Sequence, residues 1–434
     1  MTLKFPDLAG SHFAVHAWRM LWALGLSLGV SAGGATPAAK PAGSSAAKTP
    51  NHSTGLEFID TSFENASPVW YEFAPDGVVQ VHLLYDHERS SPNRAAGHIH
   101  LRLHARPGSK LTLEFKNLDN VWNGTSGSIA RELKAVVISE NGRDWKSVPV
   151  QRLPENRVQL HVEMPGPMLY VARLEPYRLS DLDQFLAAIR GQPLVQITPI
   201  GRTVQGRQLE ILRVGHPQAP YRVFLRARAH AWEPGGNWVV QGFVNRLLRG
   251  DAEAGVFLAR YCLYVLPMAN KDGVVHGRTR FNFQGKDLNR NWDKPADPQL
   301  APENVALEKW LEGMIATGLR PHFAMELHND GGGLLHISRP PVPDLARHLE
   351  RLAVFEKLLR QHTWFTEGST KPPSRNVGTL GDGWLARYGV DTVTHEFNCN
   401  WIAGLQDYPS GRHWQDYGEK LAVVFHEYFG TIKP

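Results

Sequence analysis

A histidine and a glutamate three residues apart have the side-chain types and spacing of a metal-binding pair. A short β-rich segment, 221–229, leads to His230, and Glu233 then enters a Pro-Gly-Gly turn. Imidazole nitrogen and carboxylate oxygen both bind zinc, and a catalytic zinc usually has three protein ligands and one open position for water. The pair alone is a weak signal in a chain with 20 histidines, since a surface histidine beside a solvated glutamate looks the same.

Further polar groups stand at or beyond the ends of apolar runs downstream. The run 261–269 leads into an Asn-x-Asp-Gly turn and then an arginine- and asparagine-rich loop, 278–292. Two later runs, both typical of strands, end in His328 and Glu396. Each feature alone has a structural explanation, such as a core histidine or a solvated arginine loop. Together they supply two imidazoles, two carboxylates and a cationic loop at strand ends, where an α/β sheet builds its active site.

At these residues the chain resembles the zinc metallocarboxypeptidases of the carboxypeptidase A type. The resemblance implies one Zn²⁺ per chain, held by His230, Glu233 and His328. It implies Glu396 as the general acid and base of peptide hydrolysis. The resemblance covers roughly residues 180 to 430, and the preceding segment resembles an N-terminal β-sandwich of the same proteins.

The resemblance also implies how a substrate would be held. Asn289 and Arg290 match the pair that grips the C-terminal carboxylate of the substrate. The phrase Gly-x-Asp-Leu-Asn-Arg, with Arg280 nine residues ahead of Asn289, is similar to the cytosolic carboxypeptidase branch of the family. By this resemblance, Arg280 would be the arginine that stabilises the oxyanion formed in the tetrahedral state.

One position departs from the family. Its members usually carry a tyrosine in a mobile loop upstream of the catalytic glutamate, and that position falls near Ser374. Residues 371–383 contain no tyrosine, and Tyr388 lies too close to the strand that leads to Glu396. We therefore expect Arg375 to bind substrate in place of the tyrosine. The cytosolic branch is associated with removing acidic C-terminal residues, and Arg375 would supply the cation for such a side chain.

The expected function is hydrolysis of the C-terminal peptide bond of peptides or proteins by a zinc metallocarboxypeptidase, with a preference for acidic C-terminal residues as a finer expectation. The alternative is a zinc-dependent deacylase or amidase that acts on a small molecule or cell-wall peptide, and the missing tyrosine favours it. A binding module with a vestigial site is a poorer interpretation, because all three ligands and Glu396 are present.

Composition and charge narrow the class of protein. The 434 residues carry a net charge of +5, but no basic stripe with interleaved aromatic residues, so nucleic acid is not an expected partner. The two cysteines, Cys262 and Cys399, do not form a disulfide framework, and we interpret them as buried free thiols.

The N-terminus has the pattern of a targeting segment. Basic residues precede the apolar run 20–30, which is too short and glycine-rich for a membrane span, and small residues follow it. We expect a signal peptide over 1–35, with an uncleaved anchor as the second interpretation, and a flexible linker over 36–54. The protein is expected to be exported, periplasmic or secreted, with no stable membrane span after processing. Translation from Met20 would instead leave the protein in the cytoplasm.

Two patterns of secondary structure follow the linker. Alternating short runs with no helical pattern predict an antiparallel β-sandwich domain over 55–175. After Ser180, a predicted helix N-cap, strands alternate with helices, which predicts an α/β catalytic domain over 176–434 with a mainly parallel mixed sheet. The clearest predicted strands are 78–85, 98–104, 110–115, 134–139 and 157–162, and the clearest predicted helices are 237–248, 302–316, 343–362 and 418–429.

Overall fold

A computed structural model describes residues 55–432. The expected signal peptide and linker lie outside the described residues. Within the described part of the chain, none of the helices is both long and apolar enough to cross a membrane.

Residues 55–172 form a region of strands, which we call the first β region. Its strands are β1 (Leu56–Asp60), β2 (Val69–Phe73), β3 (Val79–Leu83), β4 (Asp86–His87), β5 (Arg94–Ala95), β6 (His100–Ala105), β7 (Lys110–Lys116), β8 (Asp119–Trp122), β9 (Thr125–Ser128), β10 (Ala135–Ser139), β11 (Lys146–Pro149), β12 (Gln151–Leu153), β13 (Arg157–Glu163) and β14 (Met168–Ala172). A single 3₁₀ turn, Ile129–Arg131, follows β9.

Two five-stranded sheets make up most of this region, in the orders β1-β6-β14-β10-β11 and β12-β13-β7-β3-β2. Alternate residues of their strands are buried together, among them Leu101, Leu113 and Leu160. The pairing is antiparallel as expected, except that β3 and β7 run parallel. A small third sheet, β4-β5-β8-β9, ends in the hairpin of β8 and β9.

The second region alternates strands and helices. Its strands are β15 (Val195–Arg202), β16 (Gln208–Val214), β17 (Tyr221–Ala227), β18 (Tyr261–Leu266), β19 (Phe323–Asp330), β20 (Leu335–Ile337) and β21 (Asp391–Asn398). Its helices are α1 (Leu179–Ile189), α2 (Gly235–Leu247), α3 (Ala252–Arg260), α4 (Lys271–Val275), α5 (Pro302–Ala316), α6 (Leu345–His362), α7 (Leu380–Tyr388) and α8 (Gly411–Thr431).

The seven strands form one mixed sheet in the order β15-β16-β18-β17-β19-β21-β20. Strands β18, β17, β19 and β21 are parallel, and antiparallel strands extend the sheet on both edges. Side chains alternate between the faces, so Val223 and Leu225 pack toward α2 and α8, whereas Phe224 packs with Trp384 of α7. The carboxyl ends of β17, β19 and β21 therefore meet at one edge of the sheet.

Helix boundaries show where local chemistry differs from the expected pattern. Helix α5 has the predicted bounds, because Pro302 occupies its first turn, where the missing N–H costs nothing. The predicted N-cap at Ser180 is wrong. Helix α1 begins two residues earlier, after Arg178, because the Asp181 carboxylate accepts a hydrogen bond from the Arg178 N–H at 2.7 Å.

Candidate metal centre and active site

The turn after β17 is held by a buried arginine. Arg228 has a left-handed backbone (φ +63°), which turns the chain away from the sheet. Its guanidinium donates to the carbonyl of Ala231 at 2.8 Å and to the Asn237 side chain at 3.2 Å. These bonds cross-link the loop that carries His230 and Glu233 to the first turn of α2.

The two glycines after this loop allow a close approach to β19. A β-carbon on Gly235 would lie 2.7 Å from the side-chain nitrogen of Asn329, and one on Gly236 would lie 2.7 Å from the β-carbon of Leu327. The Gly235 N–H also donates to Asn329 Oδ1 at 2.8 Å. The Pro-Gly-Gly sequence is thus what lets α2 start against the strand that bears His328.

The three predicted zinc ligands converge. His230, Glu233 and His328 are buried, and their ligand atoms lie within 4.8 Å of one another. The Nδ1 atoms of the two imidazoles are 3.1 Å apart, and the Glu233 carboxylate lies 2.9 Å from His230 Nδ1 and 2.6 Å from His328 Nδ1. Lone-pair donors packed this closely suit a cation, and two histidines with one carboxylate form a known catalytic zinc set.

The electrostatics of this triad favour added positive charge. Burial lowers the pKa of His328, but the Glu233 and Glu326 carboxylates outweigh it and hold that pKa well above its usual range. Burial likewise opposes ionisation of Glu233, yet the two imidazoles hold its pKa well below its usual range. The residues present therefore fit a divalent metal ion.

A second layer of side chains orients the imidazoles. Asp287 Oδ1 lies 3.2 Å from His230 Nε2, and Glu326 Oε1 lies 3.3 Å from His328 Nε2. A hydrogen-bonded carboxylate such as Asp287 fixes the tautomer and ring orientation of a metal-binding histidine, whereas Glu326 makes no hydrogen bond to His328. Glu326 is itself fully buried beside Arg226, with oxygen and nitrogen 3.2 Å apart.

Asn289 belongs to this second layer in the structure. Its Nδ2 lies 3.0 Å from His328 Nε2, and its Oδ1 accepts a hydrogen bond from the Leu380 N–H at 2.9 Å. Both polar ends of the amide are therefore engaged within the protein. Asn289 also lines the cavity, so the expected grip of Asn289 and Arg290 on a substrate carboxylate stays a prediction.

Glu396 stands beside the triad on the neighbouring strand. It pairs with His328 in the parallel register of β19 and β21. Its Oε2 atom is buried and makes no hydrogen bond with any residue of the described chain. Burial raises the pKa of Glu396 well above its usual range, and the carboxylates of Glu233 and Asp330 add to the effect while His328 and Arg280 oppose it. Such a carboxyl group can accept and keep a proton.

The two predicted substrate arginines lie at the mouth of the same site. Arg280 donates through Nε to Asp287 Oδ2 at 2.8 Å, so one carboxylate supports both this arginine and His230. Arg290 donates to the carbonyl of Asn289 at 2.7 Å. Both guanidinium groups also lie over the ring of Trp122, 4.4 and 5.0 Å from its centroid.

A cavity of about 570 Å³ joins these side chains. Its lining includes the predicted site residues His230, Glu233, Arg280, Asn289, Arg290, Arg375 and Glu396. Arg375 is exposed on the rim, and its guanidinium is paired with the buried Asp382 carboxylate at 3.0 and 3.2 Å. Within residues 55–432, no tyrosine lines the cavity, and the Tyr388 hydroxyl instead donates to Glu312 at 3.1 Å.

Sequence reasoning missed several residues of this site. Asp287 stands inside the quoted Gly-x-Asp-Leu-Asn-Arg phrase, and Glu326 precedes His328 by two residues on one strand face, so both carried a detectable signal. Asp330 and His336, whose ligand atoms lie within 4.8 Å of those of Glu396, had no such signal. The hairpin of β8 and β9 was also missed, because nothing local ties it to a distant loop.

Both cysteines and two histidines away from the site are also buried. Cys262 and Cys399 are buried free thiols, as expected, and burial raises the pKa of each to about 11. His98 and His100 are buried next to the Asn65 carbonyl, and burial lowers their pKa to about 4 and about 3. They are neutral core residues at neutral pH.

Comparison with known proteins agrees with this geometry. The family model described as zinc carboxypeptidase matches residues 182–310, which include the His230 and Glu233 pair and the arginine loop. Zebrafish cytosolic carboxypeptidase 2 is 31% identical over 138 residues, which are 29% of this chain and 19% of the relative. The human protein of that name is 31% identical over 134 residues, 28% of this chain and 15% of the relative. The chain thus spans less than a fifth of these two relatives.

Solved structures share the fold over a much longer stretch. The metallo-carboxypeptidase of Burkholderia cenocepacia has a TM-score of 0.74 at 21% identity and covers 86% of this chain and 99% of its own. A Pseudomonas aeruginosa metallo-carboxypeptidase has a TM-score of 0.70 at 23% identity, over 86% of this chain and 100% of its own. The buried His-Glu-His triad beside Glu396 therefore accompanies a match to the zinc carboxypeptidase family model over residues 182–310 and a fold shared with these metallo-carboxypeptidases.

Proposed function

We propose that this protein is a zinc metallocarboxypeptidase that removes the C-terminal residue of peptides or proteins. The observation that carries the proposal is one cavity that joins three kinds of group. Its lining includes His230 and Glu233 of the metal-binding triad, Glu396 with its unpaired Oε2 atom, and Arg290. A carboxypeptidase needs a metal site, a general base and a carboxylate-binding cation, all within about the length of one amino-acid residue.

Zinc bound by His230, Glu233 and His328 would supply a Lewis acid and a water of lowered pKa. Glu396 takes the proton of the attacking water at its unpaired Oε2 and later gives it to the leaving amine.

The two arginines act on charges of the substrate. Arg290 forms charge-assisted hydrogen bonds with the terminal carboxylate, which restricts cleavage to the last peptide bond. Arg280 faces the carbonyl oxygen that becomes negative during attack, and Asp287 holds its guanidinium in place. Asn289 orients His328 and supports the backbone of α7.

The test is release of the last residue from a peptide with a free C-terminus, followed by mass spectrometry. We expect stepwise loss of single residues by the parent protein and no cleavage of the same peptide with a C-terminal amide. An Arg290→Gln variant should lose most of its kcat/KM on the free acid. Equal cleavage of the amide would contradict an exopeptidase.

A finer proposal concerns the residue that is removed. We propose that peptides ending in Glu or Asp are preferred, with Arg375 as the cation nearest to the side chain. The support is that Arg375 lines the cavity and that Arg280 and Arg290 already have other roles. Its ion pair with Asp382 offsets part of its charge, so only a modest preference is expected.

One observation favours a second candidate function. The described cavity has no tyrosine hydroxyl, so the family's usual aromatic cap on a substrate side chain is missing. A zinc deacylase or amidase acting on a small molecule or cell-wall peptide does not need that cap. Faster turnover of N-acyl or cell-wall peptide amides than of free C-terminal peptides would favour this function.

The protein's location is also a proposal, and it rests on the sequence alone. Residues 1–35 have the charged, apolar and small-residue order of a signal peptide, so we propose export to the periplasm or medium. Mass spectrometry of the protein from its native host should find a mature N-terminus between Ala35 and Ala39. An intact Met1, or a start at Met20, in a cytoplasmic fraction would overturn export.

A further inference from the structure

The hairpin of β8 and β9 belongs to the first β region but reaches the catalytic cavity. Asn120, Trp122 and Asn123 of this hairpin line that cavity together with the arginines of the α/β region. None of the roles assigned above to the metal ligands, Glu396 or Arg290 accounts for these three side chains.

The sequence of this hairpin favours one conformation of its turn. Trp122 pairs with Thr125 across a two-residue turn, and both turn residues have a left-handed backbone, Asn123 at φ +49° and Gly124 at φ +76°. Asn-Gly is the pair that favours such a turn, because its twist matches that of the flanking strands. The turn places Trp122 at the last position of β8.

Side chains of neighbouring strands then fix the hairpin in place. Asp119 binds the side chains of Tyr85 and Arg94, and Asn120 Oδ1 accepts a hydrogen bond from the Ala96 N–H at 2.9 Å. The Asn123 N–H donates to Asn93 Oδ1 at 2.7 Å. The hairpin that carries Trp122 is thus held in place by residues of the first β region.

The contacts of the indole are with both substrate arginines. Arg280 and Arg290 lie 4.4 and 5.0 Å from its centroid, inside the range of cation–π attraction. Two guanidinium groups so close to one ring repel each other, and the negative face of an indole offsets part of that repulsion. Phe281 backs the ring from the arginine loop, with centroids 6.4 Å apart and planes 13° from parallel.

We propose that Trp122 is a positioning residue that holds the guanidinium groups of Arg280 and Arg290 in the orientation that binds substrate carboxylate and carbonyl oxygens. The first β region would thereby complete the active site of the α/β region. This inference rests on the proposed function, because that function assigns both arginines to the substrate. The inference adds that Trp122 orients the guanidinium groups of these two arginines.

The experiment compares Trp122→Leu, which keeps apolar bulk, with Trp122→Phe, which keeps an aromatic face. The matched control is Trp70→Leu, since Trp70 is 48% exposed in β2 and stacks on His82, away from the cavity. Zinc content and Tm verify that each full-length zinc-loaded variant is folded. Steady-state kinetics on a peptide with a free C-terminus then give KM and kcat.

For Trp122→Leu we expect KM to rise roughly 5- to 30-fold, the range of one to two cation–π contacts. Trp122→Phe should lose less, and Trp70→Leu should match the parent. A binding arm uses N-acetylglycine as a single-carboxylate probe, followed through the side-chain Nε–H NMR signals of ¹⁵N-arginine. Its Kd should rise with KM, and two arginine signals should lose their ring-current shift in Trp122→Leu.

A KM and Kd within about twofold of the parent in Trp122→Leu would overturn the inference. So would a Trp122→Phe variant that is as impaired as Trp122→Leu, because the aromatic face would then be irrelevant. If the parent releases no C-terminal residue, the proposed function fails. The role of Trp122 is then decided by the N-acetylglycine titration and the arginine signals alone.

Discussion

The floor and the rim of the cavity differ in burial and in the elements that position their residues. At the floor, His230, Glu233 and His328 have at most 4% of their surface exposed, and a buried carboxylate lies within 3.3 Å of the Nε2 atom of each imidazole. At the rim, Trp122 is half-buried and Arg375 is exposed on a loop. Strand ends position the floor, whereas a hairpin and a loop from two regions position the rim.

This contrast separates the parts that perform chemistry from those that select substrate. Floor residues cannot move without leaving buried charges unpaired, which costs several kcal/mol. Rim residues are partly exposed to water, so each contact there is worth about 1 kcal/mol or less. Substitutions should accordingly have effects that fall steeply from floor to rim.

The largest effect is expected from the metal ligands. A His230→Ala, His328→Ala double variant removes two of three ligands, so zinc should fall from about one equivalent to near zero and hydrolysis should stop. Elemental analysis of purified protein measures this, with His161→Ala, on the exposed face of β13, as the control. Full zinc retention in the double variant would refute the triad as the metal site.

Substitution of Glu396 should impair catalysis and leave metal binding unchanged. Glu396→Gln keeps the shape of the side chain but cannot accept a proton, so kcat should fall by about 10²-fold or more with zinc content unchanged. Glu163→Gln, on the exposed face of β13, is the matched control. Turnover within about twofold of the parent would place the base elsewhere.

Substitution of Asp287 tests how strongly zinc binding at the floor depends on the second layer of side chains around the ligands. Asp287→Asn weakens the support of both His230 and Arg280, so zinc affinity should fall by about 10- to 100-fold. Competition with a chelator measures the affinity, and circular dichroism checks that the variant is folded. An unchanged zinc affinity would show that the His230 orientation is fixed by the loop around Arg228 alone.

The floor was largely predictable from the sequence and the rim was not. His230, Glu233, His328 and Glu396 each follow a strand or end one, and parallel strands bring their carboxyl ends to one edge. The resemblance to a known family then supplied their roles. Those roles still await the measurements above, although the structure brings the four residues together.

The contribution of the hairpin could not be inferred, because its contacts with the arginine loop join residues more than 150 positions apart. The loop around Arg375 was also difficult to predict. No pattern in 371–379 indicated that Asp382, at the start of α7, would bind the guanidinium. Long-range packing determines which side chains form such ion pairs, whereas local periodicity is enough to predict strands such as β13.

The smallest effect is expected at Arg375. If this arginine selects acidic side chains, Arg375→Gln should lower kcat/KM for a peptide ending in Glu by about 2- to 5-fold, the worth of an exposed ion pair. The same peptide ending in Leu or Lys should change less than twofold. The effect is small because Asp382 already neutralises part of the charge, and 37% of the Arg375 side chain faces water.

The pattern across the three peptides decides what Arg375 does. An equal loss for all three would mean that the pair with Asp382 only holds the loop, whose Gly378 N–H also donates to that carboxylate at 3.4 Å. A parent enzyme that prefers Leu or Lys would end the proposal of an acidic pocket and leave the carboxypeptidase proposal intact. Either result would locate residue preference in another part of the rim, where Trp122 and its hairpin form the facing wall.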